Sequence, residues 1–141
     1  MYKDNCRFCL GDNDIIVREG ENIKTILSNP YLIKGHSLVM PKIHRERLSE
    51  LPSKVYSELM DEVLNISELL MEKLNALGCD IKSNYRPFLP ESDLKVDHLH
   101  FHIIPLFPND KLSNKLDRKD NYKKLFSKLE DSLIKKLDIN L

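Results

Sequence analysis

Short apolar runs suited to β-strands alternate with turn residues in the first third of the chain. They give way to a long stretch in which apolar residues recur every three or four positions. Residues 15–19 and 23–27 are β-prone and separated by Gly20-Glu21-Asn22, which reads as a hairpin. Asn29-Pro30 breaks the second run. After Gly35, residues 36–40 form a third strand, which Pro41 terminates. Val55, Leu59, Val63, Ile66, Leu70, Leu74 and Leu77 then fall on one helical face. They predict a helix over 53–77, with Ser53 as its N-cap and Gly78 just past its end. Residues 79–84 and 96–104 read as two further strands, joined by the polar loop 86–95. Tyr122, Leu125, Phe126, Leu129, Leu133 and Leu137 predict a second helix over 119–137. The inventory is an α+β domain built on a mainly antiparallel sheet of about five strands.

At 141 residues the chain is expected to be a single domain, 1–141, with a core over about 5–107 and a C-terminal helical extension over 108–141. Twenty-two basic residues balance 22 acidic ones, so no basic excess argues for a nucleic-acid partner. No run approaches the ~18 apolar residues of a membrane span, and the opening residues lack a signal-peptide core. Three cysteines do not make a disulfide framework, and a cytoplasmic protein fits best.

Composition changes the picture only through five histidines, which fall in two short segments. His98, His100 and His102 alternate within an apolar run, so at the strand period they share one face while Leu99, Phe101 and Ile103 share the other. Imidazole is the side chain best suited to nucleophilic or proton-transfer work near neutral pH and is the commonest metal ligand. The second segment is Gly35-His36-Ser37-Leu38-Val39-Met40-Pro41-Lys42-Ile43-His44, in which His36 and His44 are candidates for the same site. Near the N-terminus, Cys6-Arg7-Phe8-Cys9 has a spacing that suits half of a tetrahedral zinc site or a redox pair. Cys79 is isolated and reads as a small buried strand residue.

These three landmarks, in this order, resemble the histidine-triad (HIT) superfamily of nucleotide hydrolases and transferases. His98-Leu99-His100-Phe101-His102-Ile103-Ile104-Pro105 looks like its signature, and the Cys-x-x-Cys resembles the knuckle of its zinc-bearing branch. The resemblance implies the HIT-like fold, a homodimer and attack by His100 on the α-phosphorus of a nucleotide, with a covalent nucleotidyl-histidine intermediate. His102 would serve the phosphate or the leaving group. Cys6, Cys9, His44 and His98 would hold a structural Zn2+, four protein ligands leaving no open position. Ser28 or Asn29 would meet the ribose, and His36 and Asn84 would support the phosphate end.

The chain also departs from that pattern. Where family enzymes commonly carry Gln and then Ser or Thr ahead of the triad, this chain has Leu94 and Lys95. Lys95 and Arg86 are candidate phosphate clamps, or else solvated loop charges. The likeness implies dinucleoside polyphosphates or nucleoside phosphoramidates as substrates. The competing readings are a nucleotide-binding module with little catalysis and a zinc-stabilised interaction domain.

Overall fold

A computed structural model describes residues 3–92, 94–107 and 136. All of these but Lys136 belong to one compact unit, Met1–Pro108, and the rest of the chain, Asn109–Leu141, forms another. The helix expected over 119–137 lies outside the described residues, except for Lys136, which is helical and exposed.

The first unit runs α1 (Arg7–Leu10), β1 (Ile16–Glu19), β2 (Ile23–Leu27), β3 (Ser37–Pro41), a 3-10 turn (Leu48–Glu50), α2 (Ser53–Leu74), β4 (Gly78–Lys82) and β5 (Phe101–Leu106). The five strands form one antiparallel sheet in the order β1-β2-β3-β5-β4. Helix α2 carries the chain from β3 to the edge strand β4, and β5 returns between them. Among the described residues no helix is long and apolar enough to cross a membrane.

The strand period gives the sheet two different faces. On one, Ile23, Val39 and Ile103 pack with Val55, Leu59, Val63, Ile66 and Leu70 of α2 in the main core. On the other, Ile26, Leu38 and Met40 pack against Cys6 and Phe8 of the N-terminal knuckle. The histidines lie on this second face, because Leu38 pairs with His102 across β3 and β5. Charged contacts outside the core tie α2 to the hairpin. Arg18 donates to Glu62 at 3.1 Å, and the Asn22 amide donates to Glu58 at 2.8 Å.

Strands β1, β3 and β4 run 16–19, 37–41 and 78–82 rather than 15–19, 36–40 and 79–84, and three differences from the sequence reading have a clear physical cause. Pro52 takes the N-cap position of α2, and Ser53 is its first helical residue, with no side-chain cap. The helix ends at Leu74 because Asn75 adopts a left-handed conformation at φ 59°, so Gly78 opens β4 rather than closing the helix. Strand β5 begins at Phe101, not at 96. The β3–β5 register would place Leu99 opposite Pro41, which ends β3 and has no N–H to give. Leu99 N–H bonds instead to the carbonyl of Arg45 at 2.6 Å. The inward alternation nevertheless extends before the strand, since Leu99 and Ile103 both enter the α2 core with Phe101 against it.

Gly35 is needed where the chain enters β3. Its φ is +89°, and a Cβ there would lie 2.6 Å from Leu74 Cδ1 and 3.3 Å from Pro105 Cγ. The close approach of α2 and β5 at this point sets where His36 begins.

Candidate active site and metal centre

The knuckle is a single helical turn that would not persist alone. Cys6 caps it, Cys9 lies within it, and Gly11 closes it at φ 68°, its N–H bonding to the carbonyl of Arg7. Lys24 of β2 holds it down. Lys24 ammonium donates to the Phe8 carbonyl at 2.7 Å and pairs with Asp14 at 2.7 Å, with both charged side chains largely buried. This arrangement brings Cys6 and Cys9 to His44, which follows β3, and to His98, which precedes β5. The four ligand atoms all lie within 4.8 Å of one another. Cys6 Sγ and Cys9 Sγ stand 3.4 and 3.5 Å from His98 Nδ1, and Cys9 Sγ stands 3.4 Å from His44 Nδ1. A tetrahedral zinc with two sulfur and two nitrogen ligands has edges of about 3.6 Å, so these separations suit one.

The protonation pattern fits a metal as well. His98 is buried and its Nε2–H donates to the Pro41 carbonyl at 2.8 Å, which leaves the Nδ1 lone pair turned toward the sulfurs. Such a backbone acceptor behind a ligating imidazole fixes its tautomer. Burial chiefly, helped by neighbouring charge, pushes the His98 pKa down to about 4 and lowers that of His44, so both rings are neutral, as ligands must be. Burial raises the Cys6 thiol, so a thiolate there calls for a cation beside it.

The other three histidines form a second constellation, and backbone groups set their tautomers too. His100 Nδ1–H donates to the carbonyl of His98 at 2.6 Å, leaving Nε2 as a free lone pair. His36 Nδ1 accepts the N–H of Leu32 at 3.1 Å. Its proton is therefore on Nε2 and points at His102 Nδ1, 2.9 Å away. That bond in turn puts the His102 proton on its own Nε2. Burial is the largest cause of the low pKa values of this pair, about 4 for His36 and about 3 for His102, with Lys82 and His100 adding repulsion. Burial also lowers His100, against the bond to the His98 carbonyl. The rings of His100 and His102 meet edge to face at 5.0 Å. A neutral nucleophile thus sits beside a neutral donor.

Two cavities adjoin this pair and share Asn84, Leu94, Val96, His100 and His102. One, of about 250 Å³, runs over Arg7, Phe8, Ser28, Asn29 and Tyr31 to His36 and Lys82, and among the described residues no carboxylate lines it. The other, of about 190 Å³, is lined by Glu46 and Asp97 as well as Arg86 and Lys95, so the formal charges of its described lining cancel. The HIT domain family model matches residues 12–109 of the chain. The chain belongs to this family.

The HIT match begins after Cys6 and Cys9, so the knuckle is outside it. An uncharacterised HIT-like protein of Methanocaldococcus jannaschii is 35% identical over 109 residues, covering 74% of this chain and 81% of its own. The crystal structure of a zinc-bound histidine-triad family protein from Mycobacterium smegmatis superposes with a TM-score of 0.67 at 30% identity, over 95% and 96% of the two chains. An adenosine 5′-monophosphoramidase of Schizosaccharomyces pombe is 34% identical over 78 residues, 55% of this chain and 52% of that protein.

Within this HIT protein every sequence-derived candidate lies at one of the two constellations or cavities, but not always with its side chain available. Ser28 Oγ–H is engaged by the Pro30 carbonyl at 2.8 Å, and the Asn29 carbonyl accepts from Arg7. Asn84 borders both cavities, and its Oδ1 receives a long contact of 3.4 Å from Arg86. Lys95 is paired with Asp97 at 2.8 Å and also bonds to the Leu89 carbonyl, so its charge is already compensated. Four features were not read from the sequence: Phe8, Lys24, Lys82 and the Leu32 N–H. A lysine inside the apolar run 23–27 was the visible signal for Lys24. Lys82 follows from register alone, since β4–β5 pairing places it directly opposite His102.

Proposed function

We propose that this protein is a nucleotide hydrolase or nucleotidyl transferase that works at an α-phosphate through a nucleotidyl-His100 intermediate. The observation that carries the reading is the pair of backbone-set tautomers: a free Nε2 lone pair on His100 beside an Nε2–H on His102. His100 Nε2 attacks phosphorus as the bond to the leaving group breaks, and His102 Nε2–H hydrogen-bonds that group, which takes its proton from solvent. The His98 carbonyl stabilises the cationic phosphoryl-imidazolium through Nδ1–H. Water then attacks phosphorus, giving its proton to solvent, and the neutral imidazole of His100 leaves.

Both dinucleoside polyphosphates and nucleoside phosphoramidates suit such a site; the relative named a monophosphoramidase supports the second. Cys6, Cys9, His44 and His98 would hold zinc as a structural ion, binding the knuckle to the strand that carries the chemistry. The zinc-bound relative and the donor set support this assignment. A homodimer is proposed as well, supported by the exposed Leu64, Leu77 and Ile81 on α2 and near β4. Sedimentation at micromolar concentration should give twice the chain mass, and a monomer would remove the dimer.

The test of function is turnover of an adenosine phosphoramidate and a dinucleoside polyphosphate by the wild type and His100→Ala. The variant should keep its fold and lose at least ~1,000-fold in rate. A folded variant with unchanged turnover would sink the assignment.

A further inference from the structure

Lys95 and Arg86 were the sequence candidates for phosphate recognition; the structure adds Lys82 beside the triad and separates the three by what each already faces. Lys95 is spent on Asp97 and the Leu89 carbonyl. Arg86 borders only the charge-balanced cavity, where Glu46 and Asp97 offset it and Lys95. Lys82 is different. It lies opposite His102 in the β4–β5 register and lines the other cavity together with His36, His100 and His102. Among the described residues no ion pair to Lys82 is found, and no Asp or Glu lines its cavity. Its ammonium is near enough to disfavour protonation of both His36 and His102. The other cation of that cavity, Arg7, donates to the Asn29 carbonyl, a part of the wall away from the triad strand.

We infer that Lys82 is a catalytic residue that binds the non-bridging oxygens of the α-phosphate while His100 attacks it. This rests on the proposed function, whose reaction it deepens. Negative charge spreads over the equatorial oxygens of a transferring phosphoryl group, so the exposed Lys82 ammonium, brought to them, stabilises the transition state more than the bound substrate. Lysine serves this purpose as a compact point charge with three donors. It also opposes a positive charge on His36 and His102, which keeps His102 a neutral hydrogen-bond donor. The charge-balanced cavity beyond the shared residues is left for the leaving group.

The test compares the zinc-loaded wild type, Lys82→Gln and Lys82→Arg for binding of AMP and adenosine and for turnover of an adenosine phosphoramidate. Lys82→Gln should weaken AMP about tenfold, leave adenosine affinity unchanged and lower kcat more than it raises KM, for a loss of about 100-fold in kcat/KM. Lys82→Arg should recover most of the AMP affinity. Equal AMP affinity and turnover in Lys82→Gln would overturn the role of Lys82 alone, as would a parallel loss of adenosine and AMP, which marks a structural effect. A wild type that binds neither ligand would overturn this inference and the proposed function together.

Discussion

His100 and His102 are chemically identical residues two positions apart, and the hydrogen bond behind each ring gives it a different part. The His98 carbonyl can only accept, so it takes the Nδ1 proton of His100 and exposes Nε2. The Leu32 N–H can only donate, so it sends a proton outward through His36 to His102. Removing this hydrogen-bond donor, as in His102→Ala, should lower kcat by about 100- to 1,000-fold for substrates with poor leaving groups. Substrates whose leaving groups carry little charge on departure should be much less affected, a contrast readable with a series of leaving groups. The same bonds have a pH consequence. His36 and His102 have folded pKa values of about 4 and 3, below the ~6.5 of an unfolded histidine, and they face Lys82 and His100. Above pH 6.5 neither state takes up these protons. Between 6.5 and about 4 only the unfolded chain does, so the stability contributed by the neutral pair is complete above 6.5 and falls as pH drops through that window. Thermal melting of zinc-loaded protein should show this slope, and His36→Gln should flatten part of it; an unaltered slope in that variant would contradict the account of the pair.

At the scale of elements, the strands and the long helix were legible because their apolar periods are unmixed. Strand β2 was placed residue for residue, and the buried stripe Val55, Leu59, Val63, Ile66, Leu70 is the one the spacing implied. What was not legible depends on partners distant in sequence. Strand β5 starts late because Pro41 stands across from Leu99, and α2 stops early because Asn75 turns left-handed before Leu77. The candidate site follows the same division. The four metal-ligand candidates converge as their motifs suggested, yet Lys95 is neutralised by a neighbour and Lys82 gains importance only through register. Two substitutions test the element-level account. Leu59→Ala removes a fully buried side chain of the α2 core and should cost about 2–5 kcal/mol in denaturant unfolding. Gly35→Ala must strain the backbone at φ +89° and push on Leu74 and Pro105. It should lower both stability and activity, since His36 follows directly.

For the whole molecule, one sheet separates two tasks. The α2 face supplies a continuous apolar core, and the opposite face carries the knuckle, the Cys/His cluster and the histidines proposed to react. His98 ties the two together: its ring belongs to the metal cluster and its carbonyl holds His100. Stripping zinc with a strong chelator should therefore lower the melting temperature, and metal analysis of the replete protein should give one zinc per chain. A replete protein with no zinc and no change on chelation would remove the metal assignment while leaving the His100 chemistry standing.

That chemistry is tested most directly by trapping the intermediate. Protein mixed briefly with an adenosine phosphoramidate and quenched in alkali, where a phosphoryl-histidine survives, should carry one nucleotidyl group. Peptide mapping should place it on His100, and His100→Ala should carry none. Steady turnover with no adduct on His100, or an adduct on another residue, would contradict the account.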